Sequence, residues 1–256
     1  DGGFEIAAVA GTAEDAIDAL SQVRVDIILL DLEMPGAGGL KSIPKILEAA
    51  HGAQVMIVSS LAEEGAEETV AALALGAADT IPKPGTGRFN GRFSEVLMAK
   101  LRALGRVEYQ DPLPPRALKS IPAKVSPLRA EATGTLRLLA IGASTGGIHS
   151  LSTFFQALPP KIGVPILITQ HMPPRFTAAF AGRLNRECPM TVSEAQHGDV
   201  VEHGHVYIAP GSHHLELVKQ GSGFACALHD SPAVSGHRPS VDVLFRSAVK
   251  IAGPKA

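Results

Sequence analysis

Only two cysteines occur among the 256 residues, Cys188 and Cys226, and they form no motif. A disulfide scaffold is therefore excluded, and a reduced, cytoplasmic location is expected. The chain also lacks an apolar run long enough to span a bilayer, and it lacks a signal-peptide pattern, so we expect no direct membrane insertion. Lysine plus arginine (23) nearly balance aspartate plus glutamate (25), which argues against a nucleic-acid-binding protein.

The length and composition allow two domains, because 256 residues with 45% hydrophobic side chains can form two separate cores. Between them, residues 105–135 are rich in proline and carry little periodicity, which is typical of a linker. The predicted division is a domain at 1–104, the linker, and a domain at 136–256. The chain opens on a strand-like segment and stops after a helix, so we expect a fragment truncated at both ends.

The most informative stretch is Gly142-Ala-Ser-Thr-Gly146, which follows an apolar, strand-like segment. Its G-x-S-x-G spacing is typical of a nucleophile elbow, in which Ser144 sits on a turn too tight for neighbouring Cβ atoms. Backbone N–H groups at the helix start, around Thr145 and Gly146, would stabilise an oxyanion there. A strand, a glycine-rich turn and a helix also form phosphate cradles, so this pattern alone leaves both interpretations open.

The next apolar strand, at 165–170, is followed directly by His171. A helical stretch at 148–158 separates the two strands, which predicts a βαβ unit with parallel neighbouring strands. Adjacent strands lie about 4.8 Å apart, so Ser144 and His171 are within side-chain reach. A histidine placed there can act as a general base for the serine, which favours the nucleophile over the phosphate cradle.

The first half alternates regularly between strands and helices. The predicted strands are 4–10, 26–30, 54–58 and 78–81, and the predicted helices are 13–22 with Thr12 as N-cap, 40–50, 64–75 and 93–104. This alternation indicates a parallel sheet with helices on both faces. Asp31, Ser59 and Lys83 fall at the carboxyl ends of three strands, where open α/β sheets place their sites, and such side chains can handle a phosphoryl group.

The second half is also predicted to be α/β, with an antiparallel hairpin insertion. Residues 206–209 and 214–219 are predicted to form that hairpin, with a third strand at 224–228. A helix at 176–187, a strand at 191–195 and a helix at 241–252, with Ser240 as its N-cap, complete the pattern.

Histidines are frequent in the second half: His197, His203, His205, His213, His214, His229 and His237. His203 and His205 have a chelating spacing, but no carboxylate or cysteine lies at the spacing of a zinc site. Solvated loop histidines are therefore the preferred interpretation. His237 lies in a loop that could face the Ser144 edge, and we keep it as a substrate-binding candidate.

The first half resembles the receiver domain of bacterial response regulators. The matching residues are Leu30-Asp-Leu-Glu-Met-Pro35, Val58-Ser59 and Ile81-Pro-Lys-Pro84. The resemblance implies a flavodoxin-like domain whose first strand is missing. It also implies that Asp31 accepts a phosphoryl group with Mg²⁺ bound, that Ser59 is the switch hydroxyl, and that Lys83 is the site's ammonium. The acidic partners of Asp31 in Mg²⁺ binding belong to the missing strand.

The second half resembles the catalytic domain of chemotaxis protein-glutamate methylesterases. The matching stretches are Ile141–Gly147, Ile168–Pro174, Tyr207–Gly211, His229–Val234 and His237–Phe245. The resemblance implies a doubly wound α/β hydrolase-type fold with Ser144 as nucleophile and His171 as base, and no cofactor for catalysis. It implies demethylation, and possible deamidation, of methyl-accepting chemotaxis receptors under the control of the histidine kinase CheA.

The family's third triad member is an aspartate beyond the last helix, and it has no counterpart here. Asp199, Asp230 and Asp242 do not match its motif, so none is assigned, and we expect the fragment to be an impaired enzyme. Two other functions remain open. One is a receiver fused to a nucleotide-binding output domain, and the other is a non-catalytic docking protein.

Overall fold

The computed structural model describes residues 3–36, 38–59, 63–83, 91–105, 136–159 and 162–253. Most of the predicted linker, residues 106–135, lies outside these ranges, so the proposed domain boundaries stay predictions. The helices are α1 Ala13–Gln22, α2 Gly39–Ala49, α3 Glu63–Ala74, α4 Gly91–Gly105, α5 Gly147–Ala157, α6 Pro174–Glu187 and α7 Val241–Ala252. The strands are β1 Ile27–Asp31, β2 Gln54–Ser59, β3 Asp79–Pro82, β4 Leu139–Ala143, β5 Ile166–Gln170, β6 Thr191–Glu194, β7 His205–Ile208, β8 His214–Gln220 and β9 Gly223–His229.

Strands β1, β2 and β3 form a parallel sheet in that order, with Asp31 opposite Val58. Side chains alternate along the central strand β2, because successive residues of a strand point to opposite faces. Val55 and Ile57 therefore join the core on one face, while Met56 joins a second cluster on the other. Helices cover both faces, which confirms the predicted α/β architecture of this half.

The predicted strand at residues 4–10 is wrong. The segment forms no strand and pairs with none in the described chain, and Ile6 and Val9 are 82% and 89% exposed. A strand needs a neighbour to accept and donate its main-chain hydrogen bonds, and in the described sheet β1 pairs only with β2. The strand-like pattern of apolar residues at 4–10 was therefore not sufficient to form a strand without a partner strand.

Strands β4, β5, β7 and β6 form a second parallel sheet in that order. All five residues of β5 are buried, as expected for a central strand covered on both faces. Ile166 and Ile168 pack into the larger core, and Leu167 packs into a separate cluster beneath the hairpin and α7. The C-terminal half therefore has the predicted α/β fold.

The antiparallel hairpin exists, but it uses other strands than predicted. β8 pairs with β9, with Gln220 opposite Gly223, whereas β7 lies inside the parallel sheet between β5 and β6. The sequence pattern of residues 206–209 is compatible with a strand in the hairpin and with a strand in the parallel sheet. Val206 and Ile208 are fully buried, and that burial favours a central position in the parallel sheet.

The residues before two helices, α1 and α7, were predicted to cap them. Thr12 Oγ1 accepts the N–H of Asp15 at 3.1 Å, so the predicted N-cap of α1 is confirmed. Ser240 occupies the predicted N-cap position of α7 with extended backbone, but its side chain makes no capping hydrogen bond. Within the described ranges, every helix is too short or too polar to cross a membrane.

The register between β4 and β5 positions two reactive side chains. Ala143 lies opposite Gln170, and the N–H of His171 donates to the carbonyl of Ala143 at 3.0 Å. Ser144 and His171 are therefore the first residues after each strand, on the same edge of the sheet.

The two halves of the chain contact each other through helices. Helix α3 packs against α5 and α6, and one continuous apolar cluster includes Val70 and Leu73 of the first half with Leu151 of the second. Two polar bonds accompany this packing. The N–H of Gly146 donates to the carbonyl of Ala78 at 3.0 Å, and His149 Nδ1 lies 2.8 Å from the carbonyl oxygen of α3's last residue.

Gly211 lies where the loop after His171 leaves no room for a side chain. A Cβ atom there would stand 2.6 Å from both the carbonyl oxygen of Met172 and the nitrogen of Pro174. Gly211→Ala is therefore expected to lower the free energy of unfolding by about 1–3 kcal/mol, measured by urea denaturation.

Gly182→Ala is the matched control. Gly182 lies inside α6, and a Cβ atom added there would meet its nearest neighbour, the side chain of Arg186, at an ordinary contact distance of 3.7 Å. Alanine should stabilise that helix by about 0.5–1 kcal/mol. Equal unfolding midpoints for the two variants would contradict the packing argument.

Candidate active site

Ser144 lies on the tight turn between β4 and α5, and it is exposed. Gly146 has φ +74°, a left-handed conformation that favours glycine. A Cβ at Gly142 would collide with the side chain of Val241, and one at Gly147 would collide with the side-chain carbonyl of Gln170. The glycines of the motif are therefore required by close packing around the serine as well as by the turn.

His171 faces the serine, with its Nδ1 atom 3.3 Å from Ser144 Oγ. In the neutral tautomer that carries its proton on Nε2, Nδ1 is free to accept the serine proton. His171 Nε2 is buried and has no hydrogen-bond partner among the described residues, so none of Asp199, Asp230 or Asp242 orients the ring.

The ring of His237 stacks on His171, with centroids 4.0 Å apart and planes 13° apart. His237 is held in place by a short turn, because its N–H and carbonyl both bond to the main chain of Val234. Burial lowers the pKa of His171 below its usual value of 6.5, and charge on His237 lowers that pKa further. A neutral His171 imidazole at neutral pH is the form that a general base needs.

The two predicted oxyanion donors differ in their surroundings. Thr145 and Gly146 both lie in the turn before α5, where main-chain N–H groups converge. The N–H of Gly146 is already bonded to the carbonyl of Ala78, which belongs to the first half of the chain. In this conformation one predicted oxyanion donor is therefore occupied by a carbonyl oxygen of the same protein.

A second polar site lies at the edge of the N-terminal sheet. Lys83 Nζ is 2.9 Å from Asp31 Oδ2 and 2.8 Å from Glu33 Oε2. The other carboxylate oxygen of Asp31 accepts the N–H of Glu33 at 2.9 Å. Hydrogen bonds to Glu33 and to Asp31 raise the pKa of the Lys83 ammonium above 10.5, so it is charged at neutral pH.

Ser59, the third residue predicted for this site, is only partly brought to it. Its carbonyl accepts the N–H of Lys83 at 2.7 Å, but its buried hydroxyl lies 3.4 Å from Thr80 Oγ1. The Ser59 hydroxyl therefore lies beside Thr80 of β3, and its role as a switch stays a prediction.

The predicted Mg²⁺ site has few donors at this edge of the sheet. Among the described residues, no group of three or more histidine, cysteine, aspartate or glutamate side chains is placed to hold a metal ion. Asp31 and Glu33 are carboxylates of the kind Mg²⁺ prefers, but both are bonded to Lys83. Asp31 and Glu33 therefore do not by themselves form a metal site.

The comparisons with known proteins match both halves of the chain. A family model described as CheB methylesterase matches residues 139–256, and one described as response regulator receiver domain matches residues 1–88. The protein-glutamate methylesterase/protein-glutamine glutaminase of Yersinia pestis bv. Antiqua (strain Antiqua) is 42% identical over 99% of this chain and 71% of its own length. The corresponding protein of Salmonella typhi is 41% identical, with the same coverage of both chains.

The chain belongs to the CheB methylesterase family. A solved structure, the Thermotoga maritima CheB methylesterase catalytic domain, is 40% identical and covers 46% of this chain and 62% of its own, with a TM-score of 0.44. Membership in this family agrees with the α/β hydrolase-type fold and the receiver-like first half, and it favours an esterase over the nucleotide-binding and docking alternatives.

Several histidines of the second half, where solvated side chains were the preferred interpretation, have hydrogen-bond partners in the fold. Buried His214 accepts the N–H of Ser240 on Nδ1, and its Nε2 lies 3.2 Å from the carbonyl oxygen of Pro232. His205 Nε2 lies 3.0 Å from Ser193 Oγ. His214 thus ties the hairpin to the loop that carries His237, a role that no spacing pattern in the sequence reveals.

Gln170 was missed as a site residue. It stands in the stretch Ile168–Pro174, next to His171, and is buried. A glutamine at the end of a strand carries no recognisable signal, because only the folded turn brings acceptors to its amide.

The acid limb of the pH–rate profile tests the environment of His171. Because the pKa of His171 is lowered, the neutral base persists to lower pH, and kcat/KM of the intact protein should fall with a midpoint below 6.5. His237→Phe keeps a flat ring but removes its charge, so the midpoint should move upward. Steady-state ester hydrolysis across pH 5–8 measures both.

His213→Phe serves as the control, because the hydrogen bond described for that ring is with the neighbouring Ser212. Its acid midpoint should equal that of the wild type. A downward shift in His237→Phe would show that the sign of the proposed interaction is wrong.

Proposed function

We propose that this chain is a phosphorylation-regulated protein-glutamate methylesterase acting on the glutamyl methyl esters of methyl-accepting chemotaxis receptors. The observation that carries the proposal is the 3.3 Å approach of Ser144 Oγ and His171 Nδ1 at the ends of two adjacent parallel strands. Relatives at 42% and 41% identity that bear the methylesterase name support the substrate class.

The proposed reaction is acyl transfer in two steps. His171 takes the proton of Ser144 as Oγ attacks the ester carbonyl, and the protonated imidazole then gives that proton to the departing methoxide, releasing methanol. Main-chain N–H groups before α5 stabilise the oxyanion. Water, activated by the same histidine, then hydrolyses the acyl-serine and regenerates the hydroxyl and a glutamate side chain.

The same chemistry extends to glutamine. Attack on a side-chain amide would release ammonia instead of methanol and leave the same acyl-enzyme. The relatives' printed names include protein-glutamine glutaminase, which supports deamidation as a second activity of this site.

Regulation follows from the contact between the two halves. The carbonyl of Ala78 takes the Gly146 N–H, so the inactive form has the first half placed over the oxyanion donors. Ala78 immediately precedes β3, and Lys83, the partner of Asp31, immediately follows it. Phosphorylation of Asp31 adds charge at Lys83 and acts along this short strand to release Gly146.

The remaining partners complete the proposal. A histidine kinase such as CheA supplies the phosphoryl group to Asp31, and the protein works in the cytoplasm beside the receptor tails. The receiver match at residues 1–88 supports the kinase, and two free cysteines, Cys188 and Cys226, fit a reducing compartment.

Ser144→Ala tests the nucleophile. In the intact protein it should lower methanol release from methylated receptors by at least about 10³-fold, because no other hydroxyl is bonded to His171 in the described part of the chain. Ser150→Ala is the control, since that hydroxyl bonds to the carbonyl of Gly146 on the helix. A docking protein without activity would be indifferent to both substitutions.

Asp31→Asn tests the phosphoacceptor. The intact wild-type protein should release methanol faster after addition of acetyl phosphate, and Asp31→Asn should abolish that increase. Asp26→Asn, an exposed aspartate just before the opposite end of β1, should retain it. An undiminished increase in Asp31→Asn would exclude Asp31 as the acceptor.

A further inference from the structure

The main-chain ladder between β4 and β5 ends just before the two reactive residues. Its last bond runs from the N–H of His171 to the carbonyl of Ala143 at 3.0 Å. Beyond it, Ser144 turns towards α5 and His171 continues into a loop, so no further main-chain pair joins the two segments. Without another connection, the separation of Ser144 and His171 would depend on loop packing alone.

The side chain of Gln170 supplies that connection. Its Nε2 atom donates to the carbonyl of Ser144 at 2.9 Å and to the carbonyl of His171 at 3.1 Å. Both acceptors are carbonyl oxygens, so the NH₂ group and not the amide oxygen must face them. One amide therefore bridges the main chain of the nucleophile and the main chain of the base.

The surroundings of Gln170 hold this amide in place. The residue is 3% exposed, and its Oε1 atom is buried without a hydrogen-bond partner in the described residues. That oxygen fills the space beside Gly147 that a Cβ would otherwise occupy, at the N-terminus of α5. The unpaired, buried Oε1 atom of Gln170 destabilises the folded state. The two hydrogen bonds that its NH₂ group donates offset that loss.

We propose that Gln170 is a positioning residue, which fixes the separation between Ser144 and His171 by bonding both of their carbonyl oxygens with one amide. The proposal rests on the serine-hydrolase function proposed above. A displacement of about 1 Å between nucleophile and base can lower a rate by about 10²-fold, so removing the bridge should affect turnover more than substrate binding.

Gln170→Met tests the bridge, because methionine has a similar length and no donor. In the intact protein, kcat should fall about 10- to 100-fold, with KM changed by less than about twofold and the thermal midpoint within a few degrees of the wild type. The acid midpoint of the pH–rate profile should not move, since burial and His237, which set the pKa of His171, are retained.

Thr169→Val is the matched control. Thr169 is the preceding residue of β5, is fully buried, and its hydroxyl also has no partner among the described residues. Its side chain points to the opposite face of the sheet, away from the turn. Full kcat in Thr169→Val together with the loss in Gln170→Met supports the proposal, and an equal loss in both overturns it.

Gln170→Glu keeps the proposal falsifiable if the methionine variant does not fold. The introduced carboxyl can donate a hydrogen bond only when protonated, so its kcat relative to wild type should fall as pH rises. The proposal is overturned if the kcat of Gln170→Glu equals that of the wild type throughout pH 6–8. It is also overturned if the kcat of Gln170→Met lies within twofold of the wild type. Persistent hydrolysis by Ser144→Ala would instead overturn the underlying hydrolase function.

Discussion

The parallel pairing of β4 with β5 is the constraint on which the C-terminal half depends. It ends both strands at the same edge, and its last bond, from His171 N–H to the carbonyl of Ala143, aligns the residues that follow. The hydroxyl and the imidazole meet there because the strand spacing brings them within side-chain reach. The stacked His237 and the bridging amide of Gln170 then refine an arrangement that the sheet has already set.

The N-terminus of α5 serves several functions at once. The positive end of a helix dipole and its free N–H groups favour an oxyanion there. The same property lets the turn donate a hydrogen bond to the first half of the chain, whose Ala78 carbonyl accepts the N–H of Gly146. A substrate oxyanion and this carbonyl compete for the same kind of donor. The turn that carries Ser144 therefore also binds the first half of the chain, and this is possible because α3 packs directly on α5 and α6.

Much of the fold was predictable from local patterns. The βα alternation predicted both parallel sheets, and the positions of Asp31, Lys83, Ser144 and His171 directly after or at the ends of strands predicted which side chains share an edge. The failures concern pairing partners. The segment 4–10 has a strand-like pattern but no partner strand in the described part of the chain, and residues 206–209 entered the parallel sheet instead of the hairpin. Alternation specifies an extended chain, but not the strand that it meets.

The sequence by itself determined most of the helices and strands, the glycine-rich turn and the order of the reactive residues, because these depend on neighbours close in the chain. Only the tertiary structure decided the stacking of His237 on His171, the contact of the Ser59 hydroxyl with Thr80, and the bond from Gly146 to Ala78. Each joins residues at least 21 positions apart. Such contacts arise from the packing of helices and loops on the sheets, and short-range propensities carry no information about that packing.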